Sequence, residues 1–81
     1  MQKDENGSAK VGLGTTAILR DLDAQEEVKY TLVNPGEVDL SKGKISIASP
    51  TGRALVEREI GEVVEVTAPM GTLRYRIEQI C

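Results

Sequence analysis

The stretch Gly43-Lys44-Ile45-Ser46-Ile47-Ala48-Ser49-Pro50-Thr51-Gly52-Arg53-Ala54-Leu55-Val56 decides the fold. Ile45 and Ile47 alternate with Ser46 and Ala48, the period-2 pattern of a strand with one buried face. Ser49 follows where a helix N-cap belongs, its hydroxyl able to accept from the free amides of a first turn. Pro50 takes the first helical position, where its fixed φ helps and its missing N–H removes nothing. The spacing predicts a helix over 50–58, with Ala54, Leu55 and Val56 as its apolar side and Gly61 just past its stop. A helix of about two to three turns does not hold in water alone, so it must dock on a sheet.

The rest of the chain supplies that sheet. Residues 15–22 form a first strand through Ala17, Ile18, Leu19 and Leu22, with a turn at Asp23-Ala24-Gln25. Residues 27–33 return, with Val28, Tyr30 and Leu32 facing one way and Lys29 and Thr31 the other. Asn34-Pro35-Gly36 breaks the strand, Pro suiting a turn's second position and Gly the position after it. The loop 37–43 is expected to pack through Val38 and Leu40. Beyond the helix, residues 63–68 form a strand with Val64, Val66 and Ala68 on one face, and Pro69-Met70-Gly71 turns it back. In the last strand, 72–80, Leu73, Tyr75 and Ile77 alternate with Arg74, Arg76 and Glu78. Four to five strands with hairpin-length connections and one short helix make an α+β domain with an antiparallel sheet, one face of which buries the helix.

Eighty-one residues make one small domain, which buries only roughly 60% of its unfolded surface. Leu, Ile and Val must build the core, since the chain has no Phe or Trp and two Tyr. Thirteen acidic against ten basic residues give a net charge of −3. With neither a basic stripe nor stacking aromatics, direct nucleic-acid binding is not expected. Residues 1–8 are polar and read as a disordered arm or the scar of a truncation. No apolar run approaches membrane length, so no membrane association is expected and a cytoplasmic location is. Cys81 is the single cysteine, which leaves no internal disulfide and no zinc site.

The signals for chemistry are thin. Gly12-Leu13-Gly14-Thr15-Thr16-Ala17 fits a dinucleotide fingerprint, but that motif works between a strand and a helix, whereas here a polar arm precedes it and a strand follows. It is expected to be a flexible lead-in. Ser46, Ser49, Thr15 and Thr16 have no histidine to activate them. The acidic pairs Asp21/Asp23, Glu26/Glu27, Glu37/Asp39 and Glu57/Glu59 sit in turns or on exposed faces, and Glu37 and Asp39 are better suited to bracing their loop than to holding a metal. Arg53 and Arg58 should face out from the helix, toward a partner's carboxylates or toward Glu57 and Glu62. No catalytic residue, metal or cofactor is expected.

Ile45-Ser46 followed by Ser49-Pro50 and Gly52-Arg53-Ala54-Leu55 resembles the core signature of the C-terminal domain of the GreA/GreB transcription elongation factors, and of the related regulator Rnk. Upstream, Leu13-Gly14-Thr15-Thr16, Asp21-Leu22-Asp23, Glu26-Glu27, Tyr30-Thr31-Leu32-Val33 and Glu37-Val38-Asp39 follow in that family's order. Downstream, Ile60-Gly61-Glu62-Val63 and Ala68-Pro69-Met70-Gly71 resemble its Gly-Asp-x-Val and Thr-Pro-x-Gly elements, so the likeness runs over nearly all of 9–81. The resemblance implies an FKBP-like sheet curled about the helix. Prolyl isomerase activity does not follow from that fold, because Tyr30 and Tyr75 on separate strands cannot wall a proline pocket.

The resemblance also implies a partner. In GreA/GreB factors this domain docks on bacterial RNA polymerase beside the secondary channel, on rim helices of the largest subunit, while a separate N-terminal coiled coil assists transcript cleavage. No heptad pattern is present here, so the chain is expected to hold the docking half without the cleaving half and not to be an enzyme by itself. Family positions that face the polymerase fall on Ser46, Ala48 and Pro50, with Ser49 and Arg53 beside them. Some family members carry a polar or acidic residue where Ala48 stands, so one polar contact is missing here. The alternatives are a Rnk-like regulator that binds without cleaving, or an FKBP-like adaptor for another protein.

Overall fold

The computed structural model describes residues 9–81; the arm expected over 1–8 lies outside them. Six elements follow one another: β1 (Thr16–Asp21), β2 (Glu26–Val33), β3 (Lys44–Ser46), α1 (Pro50–Leu55), β4 (Val63–Ala68) and β5 (Gly71–Ile80). They form one five-stranded sheet in the order β3-β2-β1-β5-β4, and α1 packs against β4 and β3. This is the expected α+β architecture. Its single departure from antiparallel pairing is β3, which runs parallel to β2 with Leu32 opposite Ile45.

The β1–β2 hairpin closes because Asp21 caps its own turn. Its Oδ1 accepts the Asp23 and Ala24 N–H groups, each at 3.0 Å, and its carbonyl accepts the Gln25 N–H at 2.7 Å. That turn sets the register Leu19 opposite Val28, which leaves Ala17 and Leu19 on the same face as Leu32. On the other side of β1, Leu19 faces Ile77 but Ile18 faces Gln79, so Glu78 is the extra residue of a β-bulge. The bulge explains the end of the last strand: alternation holds through Tyr75 and Ile77, slips by one, and returns Ile80 to the core side.

The segment joining β2 to β3 passes through two single 3₁₀ turns, Pro35–Glu37 and Leu40–Lys42, and brings the chain back so that β3 runs parallel to β2. Gly43 ends it with φ +73°, and a Cβ there would sit 2.7 Å from the Lys29 carbonyl oxygen, so only glycine passes. Asp39 then pairs with Lys44, its N–H donating at 3.0 Å and its carbonyl accepting at 2.9 Å, which covers the outer edge of β3. Because the segment lies along a strand edge and not over a sheet face, the expected packing of Val38 and Leu40 does not occur. Their exposures are 42% and 74%.

The helix is shorter than its sequence pattern. It stops at Leu55; Val56 is extended (φ −61°, ψ 138°) and Glu57 is left-handed (φ 70°). Tertiary pairing ends it: the Glu57 N–H donates to the Val11 carbonyl (2.8 Å), and the Val11 N–H to the Arg58 carbonyl (2.9 Å). Val11 is 1% exposed and belongs to the core, so the lead-in expected to be flexible is pinned between helix exit and sheet.

The core gathers Val11, Ala17, Leu19, Leu32, Ile45, Leu55, Val64, Val66, Tyr75 and Ile77. The two tyrosines, on separate strands, meet edge to face with ring centroids 6.4 Å apart and planes at 85°. Strand order brings them together, because only β1 separates β2 from β5. Burial first, and then the neighbouring Tyr30 hydroxyl and Asp21 carboxylate, push Tyr75 up to about 12.

The closest backbone approach lies beneath α1. Gly52 is buried, and a Cβ on it would overlap the Ser46 carbonyl oxygen and lie 3.0 Å from Ile47 Cα. Gly52→Ala should therefore destabilise the domain by about 1–3 kcal/mol, read as a lower urea midpoint with an unchanged slope. Tyr75 generates a pH prediction. Its pKa is raised on folding, so its contribution is complete below pH 10 and is lost as pH rises toward about 12. Urea midpoints of the parent chain should fall across that window by more than those of Tyr75→Phe.

Candidate docking site

The five residues singled out by sequence run from the end of β3 (Ser46) through the turn (Ala48 and Ser49) into α1 (Pro50 and Arg53). Ile47 attaches this turn to the sheet: its N–H donates to the Val33 carbonyl at 2.9 Å, at the end of β2. The Ser46 carbonyl accepts both the Ser49 N–H (3.0 Å) and the Ser49 hydroxyl (2.6 Å). Ser46 Oγ accepts the Ala48 N–H at 3.0 Å. Ser49 Oγ in turn accepts the Gly52 N–H at 3.0 Å, the N-cap expected from sequence. Arg53 closes the first helical turn through its N–H to the Ser49 carbonyl (2.8 Å).

These bonds divide the set in two. Ser46 and Ser49 are half-buried, and their side-chain oxygens hold the turn's own backbone. Ala48, Pro50 and Arg53 are exposed. Among the described residues no carboxylate lies within ion-pair distance of Arg53, whereas Arg58 pairs with Glu62 at 3.4 Å. The turn thus offers an exposed apolar step, Ala48 and Pro50, with the Arg53 guanidinium beside it.

Gly52 is the residue of this site that sequence reasoning passed over. A glycine inside a helix reads as a weak point; here it is what lets the helix start lie on the Ser46 peptide. A glycine two residues after a Ser-Pro cap, where helix propensity argues against it, is the signal that could have found it.

Elsewhere two carboxylates, Asp39 and Glu62, brace loops. Asp39 Oδ1 accepts the Ser41 hydroxyl (2.6 Å) and N–H (3.2 Å), and Glu62 Oε2 accepts the Glu59 N–H (2.8 Å). Among the described residues no three His, Cys, Asp or Glu side chains group as a metal site would require. The glycines of the dinucleotide-like motif precede β1, a strand, and not a helix N-terminus. No helix among the described residues is long and apolar enough to cross a membrane. An open apolar hollow walled by residues 68–73 lies at the β4–β5 turn, past the end of β1, where the Leu22 N–H meets the Arg74 carbonyl (2.9 Å). That is the opposite end of the sheet from the Ser-Pro turn, because β2 runs from its hairpin toward Val33.

Comparison with known proteins places this geometry. The model of the family described as "Transcription elongation factor, GreA/GreB, C-term" matches residues 6–81. Transcription elongation factor GreA of Chloroherpeton thalassium is 48% identical over 71 residues, which are 88% of this chain and 45% of that protein. GreA of Dehalococcoides mccartyi is 46% identical over 76 residues, 94% of this chain and 49% of that one. The chain therefore spans about half the length of these curated relatives. Among solved structures, GreA factor homolog 1 of Thermus thermophilus superposes with a TM-score of 0.81 at 31% identity, covering 98% of this chain and 53% of that chain. A GreA/GreB factor of Nitrosomonas europaea gives 0.75 at 38% identity, covering 90% and 61%. With the family model spanning nearly every residue and the fold shared, this chain belongs to the GreA/GreB family of transcription elongation factors, as its C-terminal domain.

Proposed function

We propose that residues 9–81 are a docking unit that binds bacterial RNA polymerase near its secondary channel, on rim helices of the largest subunit, and contribute no catalytic group of their own. The observation that carries this reading is the Ser-Pro turn, whose serine side-chain oxygens hold its own backbone while Ala48, Pro50 and Arg53 are exposed, in a chain of the GreA/GreB family. Ala48 and Pro50 would pack on an apolar helix ridge, and Arg53 would reach a carboxylate beside it. Ser46 and Ser49 would act by holding the turn. In this reading the domain works in the cytoplasm, occupies the polymerase, and does not cut RNA by itself.

A contact this small implies weak binding. A Kd on the order of 10 µM corresponds to about −7 kcal/mol, which one apolar step and one ion pair reach only with a pre-formed surface. Labelled domain titrated with RNA polymerase core enzyme should bind in that range and be displaced by intact GreA. Absence of binding at tens of micromolar (on the order of −6 kcal/mol) would remove the polymerase from consideration. Pro50→Ala, in a variant whose thermal melt shows the fold retained, should weaken binding about 3- to 10-fold. Arg53→Ala should weaken it too and flatten its salt dependence, since an exposed ion pair is screened by salt.

A further inference from the structure

We infer that Leu13 forms part of the same docking surface and supplies its second apolar contact; this rests on the polymerase reading above. Leu13 is 55% exposed although the fold offers its segment a buried position: Val11, two residues earlier, is 1% exposed. The turn carrying Leu13 is firmly held. The Thr15 N–H donates to the Gly12 carbonyl (3.0 Å), the Gly14 N–H to the Leu32 carbonyl (2.7 Å), and Gly14 has φ +83°. A large apolar side chain is thus held more than half in the open by a hydrogen-bonded turn, outside the buried core.

Its position ties it to the Ser-Pro turn. Gly14 bonds to the carbonyl of Leu32, and Ile47 bonds to the carbonyl of Val33, the next residue of β2. Successive carbonyls on a strand point to opposite sides, so the Leu13 turn and the 47–50 turn flank one strand end. Leu13, Ala48 and Pro50 are exposed apolar groups at that end, with Arg53 adjoining. The occupant favoured is the polymerase and not a second copy. Two copies would each bring a net charge of −3, whereas the unpaired guanidinium of Arg53 calls for a partner's carboxylate.

The test compares Leu13→Glu, Leu13→Ser and Met70→Glu with the parent domain, by titration with polymerase core enzyme and by sedimentation of the domain alone. Met70 is the control, 99% exposed at the far end of the sheet. Both Leu13 variants should keep the parent's melting temperature while Kd rises about tenfold, and Met70→Glu should stay within about twofold of the parent. Parent-like affinity of the Leu13 variants, with Pro50→Ala still weakening binding, would overturn this inference and leave the polymerase reading standing. A parent domain that does not bind at all would overturn both. Loss of stability in both Leu13 variants would make Leu13 a residue of the fold, and a parent dimer broken by Leu13→Glu would make a second copy the occupant; either would overturn the inference.

Discussion

The contact on which the rest depends is the approach of Gly52 to the peptide of Ser46 and Ile47. A helix of six residues has almost no stability of its own, so its position must come from contacts. Here it is held by three constraints at once: the absent Cβ at Gly52, the Ser49 cap, and Leu55 buried to 0% exposure beneath it. Together they fix α1 after β3 with only the three residues 47–49 between them. The turn in between is consequently stiff, and its exposed side chains are presented in one arrangement.

Around that contact the sheet is arranged by pairing. Val11 ends the helix from outside by taking the backbone bonds of residues 57 and 58. β5 pairs with β1 on one side and β4 on the other, and the bulge at Glu78 keeps Ile80 on the core side with Tyr75 and Ile77. In a chain without Phe or Trp the two tyrosines meet edge to face across the central strand. A small domain has little buried area to spare, so each of these devices matters more than it would in a larger one.

Stiffness is also what a docking surface of few contacts requires. Binding loses less when the side chains that touch the partner are already immobile, and a turn whose hydroxyls are spent on its own amides meets that condition. The same hydrogen bonds occupy the side-chain oxygens of Ser46 and Ser49 in holding the backbone, and the chain has no histidine to serve as a base beside them.

Much of this was written in local sequence. Alternation marked the strands, Ser49-Pro50 marked the helix start, and the ordered motifs marked the family, because capping, turn geometry and side-chain period act over a few residues. What lay beyond that range was decided by tertiary structure. The helix end at Leu55 depends on Val11, over forty residues away in sequence, and the tyrosine contact depends on strand order. The parallel seating of β3 and the outward turn of Val38 and Leu40 depend on where the connecting segment lies against the sheet edge. Sequence singled out five residues around the Ser-Pro turn, yet the division between those that hold the turn and those left exposed appeared only with the hydrogen bonds. A serine beside a proline has the same local signature whether its hydroxyl faces a partner or the backbone; the approach of the helix settles which.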